Sequence, residues 1–237
     1  MPVPDEAIRP PEGIGWTVVT IRPFGGISIR GRHSYGWPFS TTAQLRQNGD
    51  FWFSRWVQRS SQFTTNAGHI VERGGVRESM KGLVHVAPDN PASPLSGRLF
   101  WDLRDGPFGY LTLRSSRYVA PAPTESIFSF PLRDGSTVGR VHAVFDDLAA
   151  EPRSTSFLLA REGRRVVATQ LAPPLTEIAF RRTSTPRESG GTFRGDVTSL
   201  TSGKREPFSG VILQNENLGV GQLGRGVVGT VTLTPEQ

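Results

Sequence analysis

The chain has 237 residues, 36% of them hydrophobic, with 27 glycines, 19 prolines, no cysteine and a formal net charge of +6. Disulfides and thiolate metal centres are thereby excluded, and no uninterrupted apolar stretch approaches the ~20 residues of a helical membrane span. The length suits one large β domain as well as two small ones, and the glycine and proline content is that of a protein built from strands and turns.

Residues 1–12 are rich in proline and acidic side chains and read as a linker or arm, ahead of a single β domain over 13–237 with possible halves at 13–120 and 121–237. Trp16 to Arg22 alternates around Thr17, Val19 and Ile21, and the turn Pro23-Phe24-Gly25-Gly26 leads into Ile27 to Arg32. Pro38 to Gln47 follows, then Asn48-Gly49, a dipeptide that readily adopts the positive φ of a tight hairpin turn, and Asp50 to Arg59. On that last segment Phe51, Phe53 and Val57 share one face, and Trp52, Ser54 and Trp56 the other.

Residues 60–79 are polar and without clear period, and read as a long loop or irregular edge. Strand character resumes at Met80 to Ala87 and Leu95 to Leu103, separated by the turn Pro88 to Pro94, and Asp105-Gly106 turns into Tyr110 to Arg114. Pro121-Ala122-Pro123 divides the halves. Beyond it the strands read Ile127 to Pro131, then after Asp134-Gly135 Thr137 to Phe145, Ser156 to Ala160, Val166 to Thr169, Glu177 to Arg182, Thr192 to Val197, Phe208 to Gln214 and Val227 to Leu233. The glycines from Gly219 to Gly224 read as a turn, and Asp146 to Glu151 as one short helical turn, the only helix expected. The fold class is therefore all-β: an antiparallel meander forming a barrel or a two-sheet sandwich.

One phrase recurs. Arg30-Gly31, Pro38-Phe39-Ser40, Leu45 and Gln47-Asn48 are answered by Arg194-Gly195, Pro207-Phe208-Ser209, Leu213 and Gln214-Asn215. The spacings differ, which favours two hairpins obeying the same turn chemistry over a true duplication.

Taken in order, Gly15 to Val19, Gly26 to Gly31, Phe39 to Leu45, Asn48 to Phe53, Leu95 to Trp101, Ser116 to Pro121 and Phe208 to Gly221 resemble the β-rich repeat module of large secreted and surface proteins of verrucomicrobial bacteria. The resemblance runs from about residue 13 to 235; it departs at Tyr35-Gly36 and at Gln222-Leu223-Gly224. It implies a display or adhesive part on or outside the cell, without an established catalytic role.

The residues themselves supply little chemistry. His33, His69, His85 and His142 lack the spacing of a metal site on one element. Asp146-Asp147 beside His142, Glu72 near Glu78, and Asp102 with Asp105 are carboxylate pairs of the kind glycoside hydrolysis uses, but turn and capping roles account for several of them. No Gly-x-Ser-x-Gly elbow is present, and the Gln214 to Gly221 glycines lack the Gly-Lys-Ser/Thr step and following helix of a phosphate loop. No catalytic residue, metal ligand or cofactor is therefore assigned, and the balance lies against an enzyme.

The remaining candidate is aromatic. If Phe51 and Phe53 face the core, Trp52 and Trp56 point the other way, and with Arg55, Gln58 and Asn48 nearby they form a candidate ligand-binding set of the sort that stacks sugar rings. Burial of both faces under a second layer is the competing and favoured expectation.

The function read from the sequence is a non-catalytic extracellular or cell-surface β module, structural or adhesive, with weak binding of a glycan or anionic polymer. One alternative is a polysaccharide-active β-fold enzyme using a carboxylate pair. A second is a polyanion- or nucleic-acid-binding protein, disfavoured because the arginines are scattered. No membrane span is expected, and the chain suits part of a larger polypeptide or assembly.

Overall fold

The structure is a computed structural model that describes residues 15–33, 37–58, 63–64, 70–71, 77–103, 108–121, 126–128, 139–147, 152–162, 165–181, 190–198, 203–224 and 229–236. The expected arm at 1–12, the Asp105-Gly106 and Asp134-Gly135 turns, Tyr35-Gly36, His69 and Glu72 lie outside these residues.

In the first half the strands are β1 (Trp16–Ile21), β2 (Gly26–Arg32), β3 (Pro38–Gln44), β4 (Asp50–Gln58), β5 (Phe63–Thr64), β6 (Ile70–Val71), β7 (Arg77–Val86), β8 (Leu95–Leu103) and β9 (Phe108–Thr112). The second half holds β10 (Gly139–Asp147), β11 (Arg153–Glu162), β12 (Arg165–Thr169), β13 (Leu175–Arg181), β14 (Thr192–Thr198), β15 (Arg205–Leu213), β16 (Leu218–Leu223) and β17 (Gly229–Pro235). Every pairing is antiparallel between chain neighbours, except that β4 pairs β7 across the small β5-β6 hairpin and β17 returns to β10. The second half is thus a closed eight-stranded barrel, and the first is a three-stranded sheet, β1-β2-β3, with a four-stranded one, β4-β7-β8-β9.

Turn chemistry sets the meander. Gly25 (φ 77°) and Gly49 (φ 83°) occupy left-handed backbone at the β1-β2 and β3-β4 corners, where a Cβ would be strained. Asn48 closes its corner twice, donating from Nδ2 to Asp50 Oδ2 at 2.8 Å and accepting at Oδ1 from the Asp50 amide at 3.2 Å.

Alternation then fills two separate cores. One unites Ile27, Ile29, Phe39, Phe51, Phe53, Met80, Val84, Leu99 and Trp101 from both sheets of the first half. The other lines the barrel with Val141, Phe145, Phe157, Leu159, Phe180, Phe193, Phe208, Val231 and Leu233 among others. Ile127 and Phe128, expected to begin a strand, are buried bends in the barrel core instead. All eight barrel strands already have two neighbours, so no edge remains for Ile127 and Phe128 to join; Phe128 packs edge-on against Phe180 with ring centroids 6.3 Å apart.

Three further sequence expectations need correction. Residues 60–79 hold the β5-β6 hairpin and the start of β7. Asp146 and Asp147 end β10 as strand, and residues 148–151 lie outside the described set. The Gly219 to Gly224 segment is mostly strand: β16 runs Leu218–Leu223, and the corner before it is the 3-10 turn Gln214–Glu216. Glycine is needed in β16 because Gly221 faces Gly210 across the ladder, and a Cβ on Gly221 would lie 2.4 Å from the Ser209 carbonyl oxygen. Gln222 and Leu223, part of a departure read as a turn, belong to this strand as well.

The recurring phrase occupies equivalent places. Gly31 pairs with Phe39 and Arg30 with Ser40 between β2 and β3, just as Gly195 pairs with Phe208 and Arg194 with Ser209 between β14 and β15. Both glycines admit the preceding strand closely: an added Cβ would meet the Trp16 carbonyl oxygen at 2.1 Å in one case and that of Glu177 at 2.0 Å in the other. The echo is thus one hairpin design used twice in identical register.

The halves meet through polar contacts on the Gln214–Glu216 turn. Gln214 donates from Nε2 to the Val119 carbonyl (2.9 Å) and accepts at Oε1 from the Val119 amide (2.7 Å). Asn215 Nδ2 donates to the Ala92 carbonyl at 2.6 Å, its amide to Ser116 Oγ at 3.2 Å, and Arg114 pairs with Glu216.

Candidate functional site

Strand β4 carries the sequence-predicted site, and its side chains sort by parity. Phe51 and Phe53 are buried at 1% and 4% exposure, whereas Trp52 and Trp56 stand 51% and 63% exposed. The expectation that a second layer would bury both faces is therefore overturned: the inner face of this sheet packs on the first-half core, and the indoles look outward.

Register extends the strand into a surface. Trp52 pairs with Leu83, Leu83 with Arg98 and Arg98 with Thr112; the next outward row runs Ser54, Lys81, Phe100, Tyr110; the third runs Trp56, Ser79, Asp102, Phe108. Leu83 (42%), beside Trp52, and Tyr110 (56%), on β9 at the far edge of the sheet, are exposed on the same face. The cations cap rings: the Arg98 guanidinium lies 4.6 Å from the Tyr110 centroid, and Lys81 Nζ 5.6 Å from that of Phe100. Phe100 in turn meets Tyr110 at 5.6 Å and Phe108 at 6.1 Å. At the hairpin end His85 Nδ1 sits 2.7 Å from Asp50 Oδ1, so Asp50 is tied to both His85 and Asn48.

The other predicted site residues are distributed differently. Arg55 has the parity of Phe51 and Phe53 and is half-buried with its Nε out of solvent, so it does not flank the indoles. Asn48 is occupied in its turn. Gln58 pairs with Arg77 at the end of β4, and its side chain lies outside the described residues. The residues missed by sequence reasoning are Lys81, Leu83, Arg98, Phe100 and Tyr110; the alternation of β7, β8 and β9 shows which of them share a face, but only register places that face in one sheet with Trp52.

Among the described residues the candidate acids Glu78, Asp102 and Asp146 do not converge. Glu78 is buried in the first-half core, accepting from Trp101 Nε1 at 2.6 Å and lying 3.3 Å from His33 Nδ1. Asp102 is on the outer sheet face, Asp146 ends β10, and Asp105 lies outside the described residues. A separate open cleft of about 650 Å³ lies between the outer faces of the two equivalent hairpins, bordered by Trp16, Arg30, Arg32, Glu177, Arg194 and Asp196. Its carboxylates, Glu177 and Asp196, are cross-strand partners on one wall. No group of three or more His, Asp or Glu suited to a metal occurs among the described residues.

Fold and surface together define a class: an all-β protein, one half a closed antiparallel barrel, with an outward aromatic sheet face. Comparison with models of known protein families, with curated proteins and with solved structures finds no match.

Proposed function

We propose that the chain is a non-catalytic module of an extracellular or cell-surface protein, structural or adhesive, whose β4-β7-β8-β9 face binds glycan chains weakly. The location follows from the resemblance to the verrucomicrobial surface modules. The binding rests on one observation: Trp52, Trp56 and Tyr110 are each at least half exposed on one face of a single sheet. Exposed aromatic side chains gathered on one face mark an interaction surface, and indole rings stack on the apolar faces of sugars while nearby polar groups fix hydroxyls.

Binding is favoured over hydrolysis by the carboxylates. Hydrolysis needs an acid and a second carboxyl group flanking a bound sugar, whereas Glu177 and Asp196 adjoin on one cleft wall and Glu78 is engaged in the core.

The test is a glycan array probed with wild type and Trp52→Ala. Binding that is lost in Trp52→Ala, with stability changed by less than ~1 kcal/mol because the indole is half exposed, supports the reading. Absence of binding anywhere reduces the module to a spacer. Salt-labile retention on heparin that is the same in Trp52→Ala points instead to the polyanion reading.

A further inference from the structure

The charges on the aromatic face are arranged unevenly. Its two middle rows carry the cations Arg98 and Lys81, on neighbouring strands one row apart, and no carboxylate. In the row beyond at the Trp56 end stands a carboxylate, Asp102, whereas at the Trp52 end Asp50 is held by Asn48 and lies 2.7 Å from His85 Nδ1. Rows two residues apart along a strand are spaced by ~6.7 Å, so the cationic centre is about the size of one sugar unit with a negative border on its Trp56 side.

From this arrangement we infer that the ligand is a glycan with an isolated carboxylate, one uronic acid among neutral sugars, seated over Arg98 and Lys81 on the strands beside the two indoles. The inference rests on the glycan-binding reading above and adds its chemical class. Arg98 and Lys81 are both exposed and both lie over aromatic rings, which hold their charged heads near the sheet and limit the order to be imposed on binding. A carboxylate there gains charge-assisted hydrogen bonds. A polymer charged at every unit meets Asp102 in the row next to the centre, and that repulsion disfavours both polyuronates and single-stranded nucleic acid, which carries a phosphate at each step.

The experiment compares, on one array, neutral oligosaccharides of several backbones, the same oligosaccharides bearing a single uronic acid, polygalacturonate and oligo-dT. The proteins are wild type, Arg98→Gln, Lys81→Gln and Trp52→Ala, each checked for an unchanged melting temperature. The expected result is at least fivefold tighter binding of the singly carboxylated glycans over their neutral counterparts in low salt. Arg98→Gln and Lys81→Gln each bring the ratio of carboxylated to neutral binding most of the way to one, while Trp52→Ala removes binding of both kinds. Equal binding of neutral and carboxylated glycans, or a preference unmoved by Arg98→Gln and Lys81→Gln, overturns the inference and leaves the glycan reading standing. Glycan binding unaffected by Trp52→Ala, tighter binding of oligo-dT than of any glycan, or a wild-type dimer that Trp52→Ala dissociates, overturns the reading beneath it.

Discussion

Glu78, His33 and Trp101 form a polar knot inside an otherwise apolar core. All three are buried, and Trp101 Nε1 donates to Glu78 Oε1 at 2.6 Å. His33 closes the other side at 3.3 Å from Glu78 Oε2, although neither that oxygen nor the imidazole nitrogens have an aligned hydrogen bond among the described residues. His33 is held by packing as well, its ring edge-on to Phe39 at 4.7 Å. A buried polar atom deprived of its one good partner loses its hydration without compensation, a cost of ~1–3 kcal/mol. Trp101→Phe keeps much of the ring volume and deletes the donor, so it is expected to destabilise the first half by about that amount, as read by urea unfolding. A stability equal to wild type would show that the Trp101–Glu78 hydrogen bond makes no net contribution.

The same accounting applies to backbones that approach closely within elements. Gly210 on β15 has room for hydrogen alone: an added Cβ would lie 2.2 Å from the Val220 carbonyl oxygen and 2.4 Å from the Phe193 ring. Gly26 on β2 is open, its nearest neighbour the flexible end of Arg22 at 4.0 Å. Gly210→Ala is therefore expected to cost more than ~3 kcal/mol or to prevent barrel closure, whereas Gly26→Ala stays within ~0.5 kcal/mol of wild type by thermal unfolding. These glycines also explain what could be read from the sequence. The strands Asp50 to Gln58 and Leu95 to Leu103 were legible because aromatic and apolar residues mark the alternation and Asn48-Gly49 marks the corner. Strand β16 was not, since Leu218-Gly219-Val220-Gly221 looks like a turn until Gly210 and Leu233 are placed against it. The candidate site divides similarly: the outward direction of Trp52 and Trp56 follows from period two, while the approach of Arg98 to Tyr110 depends on cross-strand register, which one chain's pattern does not specify. Arg55 adjoins Trp56 in sequence but has the opposite parity, and the pleat turns it to the inner side of the sheet.

At the scale of the molecule, two cores that share no residue are joined by a polar seam. Gln214 meets both backbone groups of Val119, and Asn215 reaches Ala92 and Ser116. Net gains from such hydrogen bonds are modest, ~1 kcal/mol each, but they couple units that otherwise have separate hydrophobic interiors. Replacing both side chains, Gln214→Ala with Asn215→Ala, is expected to split one calorimetric unfolding transition into two; a single unchanged transition would show that other contacts carry the coupling. The barrel itself closes where β17 lies between β16 and β10. A polypeptide leaving the ribosome exposes β10 long before Gly229 to Pro235 exist, whereas β1, β2 and β3 find their neighbours as soon as the next corner emerges. Barrel closure is thus the long-range step of folding: until the last stave pairs with β10, the second half stays open along one side.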